Sequence, residues 1–309
     1  METVLIAGGT GLVGQALTNQ LLSQGVQVVL LTRSISSAKE KFSEHPHLDY
    51  SVWDPAKKII DQALFSRVQH IINLAGAGVA DKRWSDARKK EISDSRVQAG
   101  ELIAQHLLTH SHTVKTYIGA SAIGWYGPDP SIHRVGFIET DPAYTDFLGA
   151  TCEKWEASAA SLHQVGIRCV TFRIGIVLTP KGGALREFLK PLNFGIATIL
   201  GTGKQVVSWI HLQDLVSLFT FAIYHPAVKG IFNAVAPHPV SNQELIRTLA
   251  WARGRFFFPV RVPAFVLKVV MGEMSIEVLK STTVSAEKIS QEGFQFQYPS
   301  IREALASYF

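Results

Sequence analysis

The chain has 309 residues, 47% of them hydrophobic, and a formal net charge of +5. That is enough apolar material for one large domain with a smaller lobe, which excludes a disordered or low-complexity protein. Two cysteines, Cys152 and Cys169, are too few for a disulfide framework, and their neighbours lack the paired Cys/His spacing of a zinc site.

The N-terminus passes straight into an apolar run, "TVLIAG", without a basic segment, an apolar signal core or a cleavage site. No run approaches the ~18 apolar residues of a membrane span, so a cytoplasmic location without a membrane partner is expected. The glycine-rich turn "IAGGTGLVG" follows, with Gly8, Gly11 and Gly14 spaced G-x-x-G-x-x-G between a strand and a helix expected over 11–24. Glycines there let the backbone approach a pyrophosphate, and the helix N-terminus offers free N–H groups and a partial positive charge.

The second strand, "VQVVLLT", ends on Thr32, Arg33 and Ser34. A fold preferring NAD usually carries an acid at this point for the ribose 2′-hydroxyl. A cation with hydroxyls suits a 2′-phosphate, so NADP(H) is the expected cofactor. Further strands are expected in "LDYSVW", "HIINLAG", "VKTYIGAS" and "IRCVTFRIG", with helices near 36–44, 85–109 and 147–164. This βα alternation predicts an α/β fold, a doubly wound parallel sheet of Rossmann type, over 1–235. Beyond "FNAVAPHPV" the pattern loosens into helical stretches near 241–253, 263–272 and 284–291, so 236–309 is expected to form a small C-terminal lobe.

Several side chains invite a role. Arg173 and Lys181 bracket the loop after the sixth strand and suit an anionic group on a small-molecule substrate. In "SWIHLQDL", Asp214 is expected to complete the hydrogen bonding of a helix N-terminus, with His211 near the pocket rim. His106 and His110 stand four apart, but no third metal ligand is visible. Basic residues are interleaved with acids, as in "DKRWSDARKKEISDSR", which points to anionic small molecules rather than nucleic acid. The aromatic run at 255–260 lacks an interleaved basic strand pattern, and packing between lobe and sheet is expected for it.

Taken with "INLAGAGVADKRW", "SAIGWYG", "CEKWE", "RIGIVLTPKGGAL", "SWIHLQDL", "FNAVAP" and "GEMS", these segments resemble the extended short-chain dehydrogenase/reductase superfamily over nearly the whole chain. The resemblance is narrower to its atypical YfcH-like "epimerase family" branch. It implies that Thr10, Gly11, Leu12 and Val13 meet the pyrophosphate and that Thr32 and Arg33 meet the adenosine end. It also implies that Leu74, Ala75, Glu91, Arg96 and Val177 lie along the cofactor.

Typical members pair a serine at the end of the fifth strand with Tyr-x-x-x-Lys on the next helix. Ser121 stands where the serine should, but aligning "KWE" with the glutamate that trails the motif puts Leu148 at the tyrosine position and Cys152 at the lysine position. The branch is known for such a cysteine and for an arginine, here Arg96, in place of an upstream asparagine. Ser121 is therefore the first catalytic candidate. Cys152, with Lys154 nearby to lower its pKa, and Tyr126 of "GWYG" stand behind it. The leading expectation is an NADP(H)-dependent carbonyl oxidoreductase or nucleotide-sugar epimerase. The alternative is a non-catalytic NADP(H)-binding sensor or regulator, since a plant relative in the branch is linked to plastid division.

Overall fold

The computed structural model describes residues 2–130, 136–254 and 256–309. Strand β1 (Thr3–Ala7) is wholly buried, and α1 (Leu12–Ser23), β2 (Gln27–Thr32), α2 (Ile35–Lys39) and β3 (Leu48–Val52) complete the first half of the sheet. The second half runs through β4 (His70–Asn73), α3 (Asp86–Thr109), β5 (Thr116–Ala122), α4 (Phe147–Ala157) and β6 (Arg168–Ile174). β7 (Ile176–Leu178), α5 (Gly183–Leu192), β8 (Ile196–Leu200), β9 (Val206–Val207), β10 (Trp209–His211) and α6 (Leu212–Tyr224) lead to β11 (Gly230–Ala234).

Seven strands form one parallel sheet in the order β11-β6-β5-β4-β1-β2-β3. Chain order reverses between β1 and β4, the switch point where the carboxyl ends of parallel strands open a crevice for ligands. Continuous apolar runs suit this sheet because helices cover both of its faces. One face packs Leu17, Leu21, Phe172 and Phe219 beneath α1 and α6, and the other packs Phe65, Ile103 and Leu162 beneath α3.

The C-terminal region holds β12 (Val240–Ser241), α7 (Asn242–Ala252), β13 (Phe258–Val262), α8 (Ala264–Met271), α9 (Ser275–Leu279), α10 (Glu287–Gln291) and α11 (Ile301–Ala306). Its core joins Leu245, Leu249 and Leu305 to Leu178, Leu185 and Ile199 from the segment before β11. The lobe is thus built from two stretches of chain, while Ile289 and Phe294 pack back onto the main core. The "FFFPVRVP" stretch reads as a connection in sequence, yet β13 pairs in parallel with β8, Val260 against Thr198. Two of its phenylalanines, Phe256 and Phe258, are exposed rather than packed against the sheet, and Arg255 lies outside the described residues.

The cap of α6 falls to His211 rather than to Asp214, and neither stands at a pocket rim. His211 is buried and caps α6, its Nδ1 accepting from the Gln213 N–H at 3.1 Å. The Asp214 carboxylate accepts from the backbone N–H groups of Gln297 and Tyr298 at 2.8 and 3.0 Å, which fastens the tail of the chain to α6. His106 and His110 stack on one another at 5.3 Å. Among the described residues, no helix is long and apolar enough to cross a membrane.

Candidate active site

The glycine turn lies at the carboxyl end of β1, beside the switch point. Gly8 has φ +78°, and a Cβ there would sit 2.7 Å from the carbonyl carbon of Leu74 in the loop after β4. A Cβ on Gly14 would strike the carbonyl oxygen of Gly8. Both positions therefore require glycine, and the backbone there is bare enough for another backbone or a diphosphate to approach.

Gly11 is the N-cap of α1 and supplies no side-chain cap, so the first N–H groups of that helix keep their donors free of side chains. Thr10 is half-buried, and its carbonyl accepts from Gln15 and from Lys41 Nζ at 3.1 Å, which fixes the turn. Leu12 lies against Gly182, so the loop after β7 closes over the start of α1. Val13 is half-buried against the main core.

At the end of β2, Thr32 is buried and its hydroxyl is tied to Ser34 at 3.0 Å, while Ser34 caps α2 through Ser37. Arg33 is exposed between them and close enough to Glu91 to help hold its carboxyl below the usual carboxylate range. The hydrogen bond from Arg88 is the larger cause of that lowering. Arg88 is buried, donates to Glu91 at 2.7 Å and to the Gly78 carbonyl, and so shapes the loop after β4. In that loop the Leu74 N–H donates to the Ala7 carbonyl at 2.9 Å and the Ala75 N–H to Asn73 Oδ1 at 3.1 Å. Val177 is half-buried on β7, in register with Ile210.

Ser121 is the last residue but one of β5, side by side in register with Arg173 on β6. Its hydroxyl donates to Glu156 Oε1 at 2.7 Å. Glu156 is held by Arg173 from Nε at 2.8 Å and from the guanidinium NH₂ at 3.0 Å. Arg173 is 1% exposed, stacks over Trp125 at 3.6 Å and donates to Tyr126 Oη at 3.0 Å, so it serves this buried network and does not face an anionic ligand.

Tyr126 is fully buried and donates to Asn233 Oδ1 at 2.7 Å, and burial pushes its hydroxyl up to about 12. That placement puts it in the support beneath the site rather than at the cleft surface. Motif reading assigned no role to Asn233 and did not foresee that Glu156 and Arg173 pair beneath Ser121. Glu156 was visible only as the last residue of "CEKWE".

Cys152 lies on α4 with Sγ 3.6 Å from the Ala122 carbonyl. Burial, with the Glu156 charge adding to it, pushes the thiol up to about 11, the opposite of what Lys154 was expected to do. Leu148, which the sequence motif sets at the tyrosine position, lies against Gly124. Arg96 lies close enough to Cys152 for its charge to oppose the rise of the thiol. It is buried, stacks on Trp155 at 4.9 Å and donates to the Ala77 and Ile92 carbonyls at 2.9 and 2.8 Å. Among the described residues, no three His, Cys, Asp or Glu side chains are grouped to hold a metal.

Comparison with known proteins agrees with this geometry. Residues 4–234 match the model of the NAD dependent epimerase/dehydratase family, and residues 262–308 match a domain of unknown function, DUF1731. The epimerase family protein SERP0438 of Staphylococcus epidermidis is 34% identical over 305 residues, covering 99% of this chain and 98% of its own. Human epimerase family protein SDR39U1 (isoform 2), solved with NADPH, superposes with a TM-score of 0.86 at 29% identity, covering 99% of this chain and 98% of that one. A nucleoside-diphosphate sugar epimerase from Corynebacterium glutamicum gives a TM-score of 0.76 at 29% identity, over 99% of this chain and 58% of that one.

Proposed function

The chain belongs to the NAD dependent epimerase/dehydratase family, and from that premise we propose that it binds NADP(H) and exchanges hydride with an alcohol or carbonyl of a small, anionic, sugar-like substrate. The observation that carries this reading is the pairing of a bare α1 N-terminus, framed by Gly8 and Gly14, with Ser121 at the end of β5. Both lie at the carboxyl edge of the same sheet. The glycine cradle fits a diphosphate, and Arg33 beside Thr32 and Ser34 fits a 2′-phosphate. When bound, the nicotinamide would supply or accept the hydride.

The chain's own residues would hold the substrate and its proton. The Ser121 hydroxyl is already donated to Glu156, so toward the cleft Ser121 is an acceptor suited to a substrate O–H. Glu156 and Arg173 fix that orientation. Arg96 would supply the positive charge beside the cofactor that a lysine supplies in typical members of the superfamily.

A second reading, an NADP(H)-binding regulator without turnover, is favoured by one feature. The resemblance sets Leu148 and Cys152 at the positions of the Tyr/Lys pair, and burial raises the Cys152 thiol. Titration with NADPH and NADH side by side tests the shared premise, and NADPH must bind the tighter. Reduced-cofactor absorbance, followed against a panel of carbonyls and nucleotide sugars, separates the readings. Turnover with any member establishes the enzyme, and NADPH binding with none consumed supports the regulator.

A further inference from the structure

Between Glu244 and Glu273 the sequence contains Arg247, Arg253, Arg255, Arg261 and Lys268 and no acid. This stretch carries the whole positive surplus of the chain, since the other basic and acidic residues balance. Arg247, Arg261 and Lys268 are exposed, while Arg253 is half-buried over the Phe309 ring.

The same stretch exposes an unusual amount of large apolar surface. Phe256 is 90% exposed and Phe258 65%, and on α8 Phe265, Val269 and Val270 are 69%, 71% and 69% exposed. Phe265 and Val269 stand four apart and share one face of the helix. α8 buries only Leu267, so its apolar character serves no internal core. Single exposed apolar side chains are ordinary, but a concentration of this kind marks an interaction surface.

We propose that β13 and α8 form a docking face for an anionic lipid surface, with the aromatic and aliphatic side chains entering the headgroup boundary and the flanking cations meeting lipid phosphates. The charge decides the occupant. A second copy of the chain related by a two-fold axis would bring this acid-free, cationic stretch against itself, and like charges repel. An anionic bilayer satisfies both the apolar side chains and the cations. The mode is peripheral, because no described helix can span a bilayer.

The face adjoins the site. α8 runs directly into Gly272, which packs against Arg83, and Glu273 pairs with Lys89 at 2.5 Å, both partners lying between β4 and the first turns of α3. The sequence expectation of no membrane partner rested on the lack of an apolar run long enough to span a bilayer, which does not bear on a face that lies on the bilayer surface.

The test is flotation of the full-length protein with vesicles of mixed phosphatidylglycerol and phosphatidylcholine, against vesicles of phosphatidylcholine alone. The expected result is recovery with the anionic vesicles only, weakened by high salt and lowered about tenfold in the Phe265→Asp/Val269→Asp double variant. Thermal melting and NADPH binding of that variant must match the parent, which both positions permit because they are exposed. No flotation with anionic vesicles overturns the proposal, as does flotation of the double variant at the parental level. A solution dimer that the same variant dissociates also overturns it, in favour of a second copy on this face.

Discussion

The Ser121 hydroxyl donates to Glu156 Oε1 at 2.7 Å, which commits its proton to that carboxylate. A serine held this way orients a substrate hydroxyl without competing for the proton. Ser121→Ala removes that orienting acceptor and is therefore expected to lower turnover by about 10–100-fold, with NADPH affinity unchanged. Glu156→Gln should act differently, because it leaves Arg173 buried without its counter-charge. A stability loss of roughly 3–5 kcal/mol is expected in urea or thermal unfolding. Equal loss of NADPH binding in Ser121→Ala would remove the serine from the chemistry and place it in the cofactor cradle.

Arg33 is exposed, so its substitution is separable from folding. Arg33→Asp replaces a phosphate partner with the acid that suits a free ribose hydroxyl. NADPH affinity should fall about ten- to a hundredfold, the worth of a charge-assisted hydrogen bond, while NADH affinity changes little. Fluorescence titration with both cofactors reads this directly. Parallel losses would show that Arg33 does not meet the 2′-phosphate.

The parts of the molecule legible in the sequence are those set by local backbone demands. Gly8 and Gly14 announce a turn that only glycine permits, and the apolar runs of β1, β2, β4 and β5 announce a sheet buried on both faces. The support beneath Ser121 was hidden because its partners are remote in sequence. Arg173 meets Glu156 across 17 positions, and Tyr126 meets Asn233 across 107. Taken alone, each resembles an available polar group, and Arg173 was accordingly expected to face a ligand. The lobe was hard to delimit for a related reason: Leu178, Leu185 and Ile199 complete a core whose other half follows β11.

Cys152 tests how far burial governs chemistry at this site. Its thiol is raised to about 11, so very little thiolate exists at neutral pH. In a Cys169→Ser background, alkylation by iodoacetamide at pH 7 should be far slower than for an unfolded cysteine, and should accelerate as pH rises toward 11. Modification at the rate of a free thiol would mean that Arg96 activates the sulfur, and Cys152 would return as a nucleophile.

His211 makes the pH dependence of stability a second probe of the lobe. Burial lowers its pKa to about 4, from an unfolded value near 6.5. The unfolded chain therefore binds a proton that the folded chain refuses between those two pH values, and stability must fall as pH drops through that window. The structure supplies the reason: Nδ1 accepts the Gln213 N–H at the cap of α6, and the ring lies beneath Tyr298 and Tyr308 at 3.9 and 4.6 Å. Protonation would turn that acceptor into a donor facing another donor. A loss of roughly 2–3 kcal/mol from pH 7 to pH 4 is expected from this group, read from urea unfolding at a series of pH values. His211→Asn retains a capping acceptor but cannot titrate, so its stability should decline less steeply over the same range. Parallel curves for the two proteins would move the acid sensitivity to another buried histidine, such as His70, whose pKa burial also lowers.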